Sequence, residues 1–349
     1  MRQDKESLLT QVPITRRIFS IPTLLSFGIA AGVIFFLATR FELDWGATWR
    51  GVRSMNLWLY LLALALYYTS FMFRGMRWNI LATNASDSSG ETLRVPSTLN
   101  TSQLIVIGWF VNSVTWLRMG DAYRAYAFAE DSKSNFSWSL GTLLAERVMD
   151  MVIVAAIILA AALVLAVTQG QAVSVYIIAM ASVMAVGIVA VALFMKAYGE
   201  RAAKFLPGRI KSAYQRFSQG TLGSFRRVPL AMFLGLLGWL LEMGRLYFVL
   251  VALGMDFSLV LVPIVAVGHA ILSTVPTPGG VGAVEPGVTG LLLIELAAPE
   301  AAAVTIVDRS ITYLSIIVVG ALLFVLRQTL NIRRSRNRLT RANARVQEK

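Results

Sequence analysis

The 349-residue chain contains no cysteine, which excludes a disulfide-stapled secreted scaffold, because there is nothing to oxidise. Its single histidine, His269, excludes a multi-histidine metal site and leaves no material for a Ser-His-Asp or His/Cys constellation elsewhere. No metal and no cofactor is expected. Charge is scarce too: Asp, Glu, Lys and Arg make up 15% of the chain, against roughly 25% in a soluble domain. There is no ATP-gripping P-loop, since Gly279-Gly280-Val281-Gly282 does not run on to Gly-Lys-Ser/Thr. What is present is apolar, with 56% hydrophobic residues and a mean hydropathy of +0.66. That balance argues against a soluble enzyme and for an integral membrane protein.

The formal net charge of +13 resembles that of a nucleic-acid binder, but its distribution does not, and nucleic acid is not expected as a partner. Eight of the 32 Lys and Arg lie in 196–228 and eight in 327–349, each segment with one acid. Both follow long apolar runs, as cytoplasmic segments of a polytopic protein do. Runs near the ~20 residues that a bilayer requires occupy 21–39, 57–73, 143–168, 174–195, 229–253 and 303–326. Two more apolar regions are interrupted, 98–130 at Arg118-Met119-Gly120-Asp121 and 258–297 at Pro276-Thr277-Pro278-Gly279-Gly280. Residues 1–20 carry Arg2, Lys5, Arg16 and Arg17 and no small-residue cleavage site, so they read as a retained cytoplasmic segment, not a signal peptide.

Crossing parity then constrains the topology. The uncharged loop 169–173 suits the outside. If 98–130 crossed once, the basic loop 196–228 would fall outside; an even number of crossings in each interrupted region keeps every basic segment inside. Both regions are short for two straight spans plus a turn, so each reads as a re-entrant hairpin, the first from the inner side and the second from the outer. The expected fold is all-α: about six full spans and two re-entrant helical hairpins over 21–326, with a basic cytoplasmic tail over 327–349. The expected location is a bacterial-type inner membrane, both termini cytoplasmic.

The halves 21–168 and 174–326 resemble each other at an offset near 160. Asn112-Ser113 followed by Arg118-Met119-Gly120 shadows Leu272-Ser273 followed by Pro278-Gly279-Gly280; Glu146-Arg147 shadows Asp308-Arg309, and Arg77-Trp78 shadows Arg245-Leu246. Three full crossings per half is odd, so the halves are expected to be oppositely oriented, an inverted repeat of the kind found in secondary transporters.

Ionisable residues inside apolar spans cost about 2.5–3.5 kcal/mol each on insertion scales and usually face a cavity or a partner. Glu146, Arg147 and Asp150 open the span 143–168. Arg147 and Asp150, three apart, are expected to pair, while Glu146 points about 100° away and reaches elsewhere; an interfacial cluster at a helix end is the alternative. Glu242 and Arg245, also three apart, read either as a self-neutralising pair or as part of a path. Asp308 and Arg309 are adjacent and need partners from other helices. Arg118, Asp121 and Arg124 form a ladder with a spare positive charge that could meet a phosphate, arginine being able to bind two of its oxygens at once, or could be ordinary positive-inside anchors.

The segment Pro276 to Glu285 concentrates two prolines and three glycines within ten residues. Two prolines with Gly279, Gly280 and Gly282 cannot continue a helix, and the freed amides suit an anion at a helix amino end, with Glu285 favoured there by the dipole. The alternative is a plain structural break. His269 reads as a core or cavity histidine, a proton relay being the less favoured reading. Arg74 and Arg77 read as snorkelling anchors, and Trp78, Tyr67 and Tyr68 as an interfacial belt.

Together, Asn112, Arg118-Met119-Gly120-Asp121, Arg124 and Ala145-Glu146-Arg147-Val148-Met149-Asp150 resemble the lysylphosphatidylglycerol synthase transmembrane family. Pro276 through Glu285, then Asp308-Arg309, are similar to its second half, and the resemblance covers roughly 20–326. It implies a flippase-like membrane domain acting on phospholipid or polyprenyl-linked head groups. Trp116 is a departure, standing where the family usually has proline, so the first hairpin is expected to have lost its helix breaker; Asp121 stands where glutamate is more usual. The chain leaves no room for the soluble synthase domain of two-domain members, so synthase activity is not implied.

The expected function is therefore translocation or binding of an anionic lipid head group between leaflets. The expected site comprises Asn112, Arg118, Asp121, Arg124, Glu146, Arg147, Asp150, Pro278, Gly279, Gly280, Gly282, Glu285, Asp308 and Arg309, with Arg77, Glu242, Arg245 and His269 in support. The head group would lie between Arg118/Arg124 and the amides around Gly279–Gly282. The alternatives are a membrane-embedded lipid transferase using Glu146 or Glu285 as base, and an accessory subunit of a lipid or glycan pathway that recruits a cytoplasmic partner through its basic tail. A homo-oligomer is possible.

Overall fold

A computed structural model describes residues 45–89, 93–169 and 207–347, and every element among them is helical. In chain order these are α1 (Trp45–Arg53), α2 (Leu57–Ser89), α3 (Thr98–Val114), α4 (Met119–Ser132), α5 (Phe136–Gln169), α6 (Gly208–Gly223), α7 (Val228–Ala252), α8 (Leu261–Leu272), α9 (Val284–Leu292), α10 (Ala298–Arg309) and α11 (Ile316–Gln347). A π-helical turn, Ser310–Ser315, joins α10 to α11. Four helices are long and apolar enough to cross a bilayer: Leu57–Ser88, Phe136–Val164, Val228–Ala252 and Ala298–Asn331. They contain or overlap the sequence runs at 57–73, 143–168, 229–253 and 303–326. The runs at 21–39 and 174–195, the segment 1–20 and most of the first part of the basic loop lie outside the described residues.

Two boundaries differ from the sequence reading. Helix α2 continues well past residue 73, because Arg74, Arg77 and Asn84 are buried inside the bundle rather than marking its edge. The basic tail from 327 begins inside α11, whose backbone continues without a break to Gln347.

Helices α2 and α7 form an antiparallel central pair. At one end the Asn56 amide donates to the Ala252 carbonyl (2.8 Å); at the other the Asn84 side-chain amide donates to the Ser224 carbonyl (3.0 Å). Asn56 also caps α2, its Oδ1 accepting from the amides of Trp58 and Leu59. The first interrupted region starts from the Asn84 end, where the Leu93 amide reaches Ser86 Oγ. The second starts from the Ala252 end, where Ser258 donates to the Glu295 carboxylate and closes the base of the α8–α9 unit.

Both interrupted regions double back. At about 1.5 Å per residue, the 17 residues of α3 span roughly 26 Å and the 12 residues of α8 roughly 18 Å, short of the ~30 Å hydrocarbon core. In the first, the chain reverses through Leu117 (φ 59°) and Arg118 (φ 52°), both left-handed. The missing proline at Trp116 does not cost the break. Asn112 Oδ1 accepts the Gly120 amide at 2.8 Å, and Gly120 sits so close to Gly108 that a Cβ on it would lie 1.9 Å from the Gly108 carbonyl oxygen. A side-chain clamp and two facing glycines do what a proline would otherwise do. In the second, Gly279 (φ 60°) and Gly280 (φ 71°) take the left-handed positions, where glycine alone is unstrained. The two left-handed pairs stand 162 residues apart, the offset of Glu146-Arg147 from Asp308-Arg309, and two more than the offset that matched Arg118-Met119-Gly120 to Pro278-Gly279-Gly280.

The turns of the two hairpins meet in the middle of the bundle. Arg118 Nη1 donates to the Ser273 carbonyl (2.9 Å), and the Tyr313 hydroxyl reaches the Ser113 carbonyl (3.4 Å). Around them lies an aromatic core that includes Tyr67, Phe71 and Trp109. Trp78 stacks on Phe128 at 4.5 Å. Trp78 and Tyr67 are fully buried, so the interfacial belt expected of them is not formed; they are packing residues. Large apolar side chains such as Trp58, Phe233, Leu322 and Leu163 face outward instead.

Candidate functional site

The charged residues that looked out of place in the spans converge on this meeting point. On the α5 side, Glu146 sits between two arginines, 3.1 Å from Arg77 and 2.9 Å from Arg124. Arg77 also holds Asp150 at 2.7 Å, and Trp239 Nε1 donates to the same carboxylate at 3.3 Å. Glu146 and Asp150 are four residues apart and so share one helix face, which Arg77 of α2 meets. The expected Arg147–Asp150 pair is not made. Arg147 turns to the first hairpin and binds Asp121 at 3.2 Å, because Arg77 already occupies Asp150. Arg77 is 1% exposed; it is a central ion-pair residue and not a snorkelling anchor. Arg124 additionally stacks over the Trp78 ring.

The first turn is locally rich in cations. Arg118 and Arg124 each approach Asp121 at 3.6 Å, so this one carboxylate is shared among three guanidinium groups. This end is also the most open: the side chains of Arg118, Arg147 and Asp121 are 30%, 38% and 27% exposed, whereas Arg77, Arg124 and Glu146 are at most 3%.

A second set lies on the α7 and α10 side. Arg245 makes its closest contact with Asp308 and also meets Glu242 at 3.3 Å, while Arg74 approaches Glu242 at 3.6 Å. Asp308 Oδ2 is 3.1 Å from His269 Nδ1. Arg309 pairs with Glu285 at 2.8 Å and donates to the Gly279 carbonyl at 3.1 Å. The neighbours Asp308 and Arg309 thus each find partners on other elements. The pairing pattern recurs between the halves. Arg77 with Glu146 corresponds to Arg245 with Asp308, and Arg147 with Asp121 corresponds to Arg309 with Glu285.

Three amides of the glycine-rich turn are taken by acceptors of the turn itself or of Glu285. Gly280 and Val281 donate to the carbonyls of Thr277 and Pro278, and Gly282 donates to Glu285 Oε2 at 2.7 Å. Of the expected anion cradle over Gly279–Gly282, the part from Gly280 to Gly282 is therefore filled by the turn's own acceptors and by Glu285. What the turn supplies is shape: Pro278 and Gly280 are buried, and a Cβ on Gly279 would strike the Tyr313 ring at 2.4 Å.

Between the two turns is a cavity of about 160 Å³, roughly ten times the ~10–15 Å³ that one water needs. Of the expected site residues its wall includes Asn112, Arg118, Arg147, Asp150, Gly279 and Arg309, with Glu242 and His269 from the supporting set. Asp121, Arg124, Glu146, Pro278, Gly280, Gly282, Glu285, Asp308, Arg77 and Arg245 are not on the wall, and the ion pairs above tie the charged ones among them to it. Sequence reasoning missed Arg74, Trp109, Trp239, Thr312 and Tyr313 as wall residues. Arg74 stands over both the Trp109 and Trp239 rings, at 5.5 and 6.0 Å; its place one turn before Arg77 was the available signal. Four arginines (74, 118, 147 and 309) and two acids (Asp150 and Glu242) face the cavity, an excess of cation suited to an anionic group. Among the described residues no group of three or more His, Asp or Glu could hold a metal.

Comparison with known proteins agrees with the pattern read from the sequence. A family model described as "Lysylphosphatidylglycerol synthase TM region" matches residues 23–320. The chain is 24% identical over 218 residues to a UPF0104 membrane protein of Methanocaldococcus jannaschii, covering 62% of this chain and 93% of that one. It is also 24% identical over 325 residues to a UPF0104 membrane protein of Methanothermobacter thermautotrophicus, covering 84% of this chain and 92% of that one.

Proposed function

The chain belongs to the lysylphosphatidylglycerol synthase TM region family, and from that premise we propose that it receives the anionic head group of a membrane lipid between its two hairpin turns and passes it from one leaflet to the other. The observation that carries this reading is the cavity wall, with four arginines against two acids at the point where both hairpins end. A head group crossing a bilayer must be kept from hydrocarbon, and a polar cavity inside a helical bundle does that while the acyl chains stay in lipid. Arg118 and Arg147 are the natural point of entry, being the most exposed members of the network and sharing one carboxylate. Phospholipids and polyprenyl-linked phosphates are the classes this chemistry fits.

The recurring ion pairs and the two hairpins starting from opposite ends of α2 and α7 support an inverted repeat, hence a hairpin entering from each face, with both termini cytoplasmic in an inner-type membrane. The same ion pairs weigh against a transferase. Glu146 and Glu285, the bases it would use, are each held by arginine, and neither is on the cavity wall where a substrate would lie. The experiment is reconstitution of the full chain into proteoliposomes containing fluorescent phosphatidylglycerol, phosphatidic acid or polyprenyl phosphate, with an impermeant quencher reporting head-group exposure. Protein-dependent movement of at least one of these lipids, lost in Arg118→Gln/Arg147→Gln, is the expected result; no movement across the panel refutes the proposal.

A further inference from the structure

One titratable group on the cavity wall takes no part in the guanidinium–carboxylate pairing. His269, on α8 of the second hairpin, lines the cavity, with Nδ1 3.1 Å from Asp308 Oδ2. Asp308 is 1% exposed. Its Oδ1 is taken by Arg245, and its Oδ2 is buried without a hydrogen bond, facing the imidazole. The charged groups around the ring come from every side: Arg245 and Glu242 on α7, Asp308 and Arg309 on α10, Glu285 on α9, Asp150 and Arg147 on α5, Arg74 on α2, and Arg118 at the first turn. In three sets of ion pairs around the cavity, seven arginines meet six carboxylates. His269 is the one histidine of the chain, and imidazole is the side-chain type whose ordinary protonation range spans neutral pH.

We propose that an anionic head group entering the cavity brings a proton with it, and that His269 holds that proton. The inference rests on the cavity being a head-group site and adds how that site is regulated. With Nδ1 3.1 Å from Asp308 Oδ2, ring nitrogen Nε2 is the one left for a ligand. The buffer acid in solution gives up a proton, its own bond to hydrogen breaking to leave the conjugate base, and that proton forms an N–H bond at Nε2; no bond to the ligand forms or breaks, and the imidazolium then lies between two anions, Asp308 behind and the phosphate in front. Arg245 and Arg309 oppose that charge, so the carboxylate alone is not enough and the ligand's charge completes the balance. Binding and protonation therefore promote each other, and a lipid carried through the cavity would carry a proton with it.

The chain is suited to a clean test, because His269 is its only histidine and it has no cysteine. Dihexanoyl phosphatidylglycerol, whose phosphodiester does not titrate near neutral pH, is titrated into the full chain in detergent micelles at pH 7.5. Calorimetry in two buffers of different ionisation enthalpy counts the protons. The expected result is uptake of about one-half to one proton per probe bound in the native protein and none in His269→Gln. Binding with no proton uptake, or with the same uptake in His269→Gln, overturns the inference and leaves the proposed function standing; no saturable binding refutes the proposed function itself. If His269→Gln does not fold, the native protein decides: its affinity should fall up to about tenfold per pH unit above neutrality, and a flat profile from pH 6.5 to 8.5 overturns the inference.

Discussion

Replacing Arg77 with methionine keeps most of the side chain's length and removes its charge, so the consequence for the buried network can be worked out. Arg77 is 1% exposed and is bound to Glu146 at 3.1 Å and Asp150 at 2.7 Å. After Arg77→Met, Glu146 still has Arg124 at 2.9 Å, but Asp150 keeps only the Trp239 ring N–H at 3.3 Å. Removing one partner of a buried ion pair costs about 3–5 kcal/mol, and the donors that remain put this case at the lower end, about 3 kcal/mol. At about 2 °C per kcal/mol, the melting temperature falls on the order of 6 °C, which tryptophan fluorescence of the purified chain in micelles can follow. The double variant Arg77→Met/Asp150→Asn removes the stranded charge and should recover at least ~1 kcal/mol, since burying a neutral amide costs less than burying an unpaired carboxylate. If Arg77→Met melts within about 2 °C of the native protein, Arg77 is a surface anchor and the buried network is not as described.

Other positions give sharper contrasts. Arg118→Gln and Arg147→Gln, at partly exposed ion pairs, should each change stability by no more than about 1 kcal/mol, while weakening binding of dihexanoyl phosphatidylglycerol about tenfold in calorimetry; unchanged affinity would remove both from the entry point. Gly120→Ala would put a Cβ 1.9 Å from the Gly108 carbonyl and should destabilise by about 1–3 kcal/mol through forced separation of α3 and α4. Gly290→Ala, in α9 with nothing within 4 Å, should be neutral or stabilising by about 0.5–1 kcal/mol; thermal unfolding separates the two.

Much of this arrangement was legible because membrane burial is demanding. Hydropathy located the four described spans, and parity of basic loops called for interrupted segments with an even number of crossings; the structure shows that α3–α4 and α8–α9 double back. Asp308 and Arg309, being adjacent, had to find separate partners, and they do. What stayed hidden depended on three-dimensional neighbours. The first reversal is made by Asn112, Gly108 and Gly120, a side-chain clamp and a close backbone approach that leave no proline for a sequence to display. Arg147 and Asp150 have ideal helical spacing, yet the place beside Asp150 goes to Arg77 from another helix, a competition that spacing alone does not reveal. The Gly280–Gly282 amides looked available because a sequence does not record that Thr277, Pro278 and Glu285 lie within reach of them. Trp78 and Tyr67 follow the same logic: aromatic residues near an arginine can belong to an interface or a core, and burial of Arg77 decides for the core.

The most direct measurement is thiol accessibility, which the native absence of cysteine makes possible. Single cysteines are introduced by Ser97→Cys and Lys133→Cys at the two ends of the first hairpin, and by Asp256→Cys and Glu300→Cys flanking the second. Each is exposed to an impermeant maleimide in right-side-out and inverted vesicles. Ser97→Cys and Lys133→Cys should react from one face only, the cytoplasmic one, and Asp256→Cys and Glu300→Cys from the opposite face only. Labelling of the two ends of either hairpin from different faces would mean that it passes straight through the bilayer, and two turns meeting around a shared head-group cavity would then be contradicted.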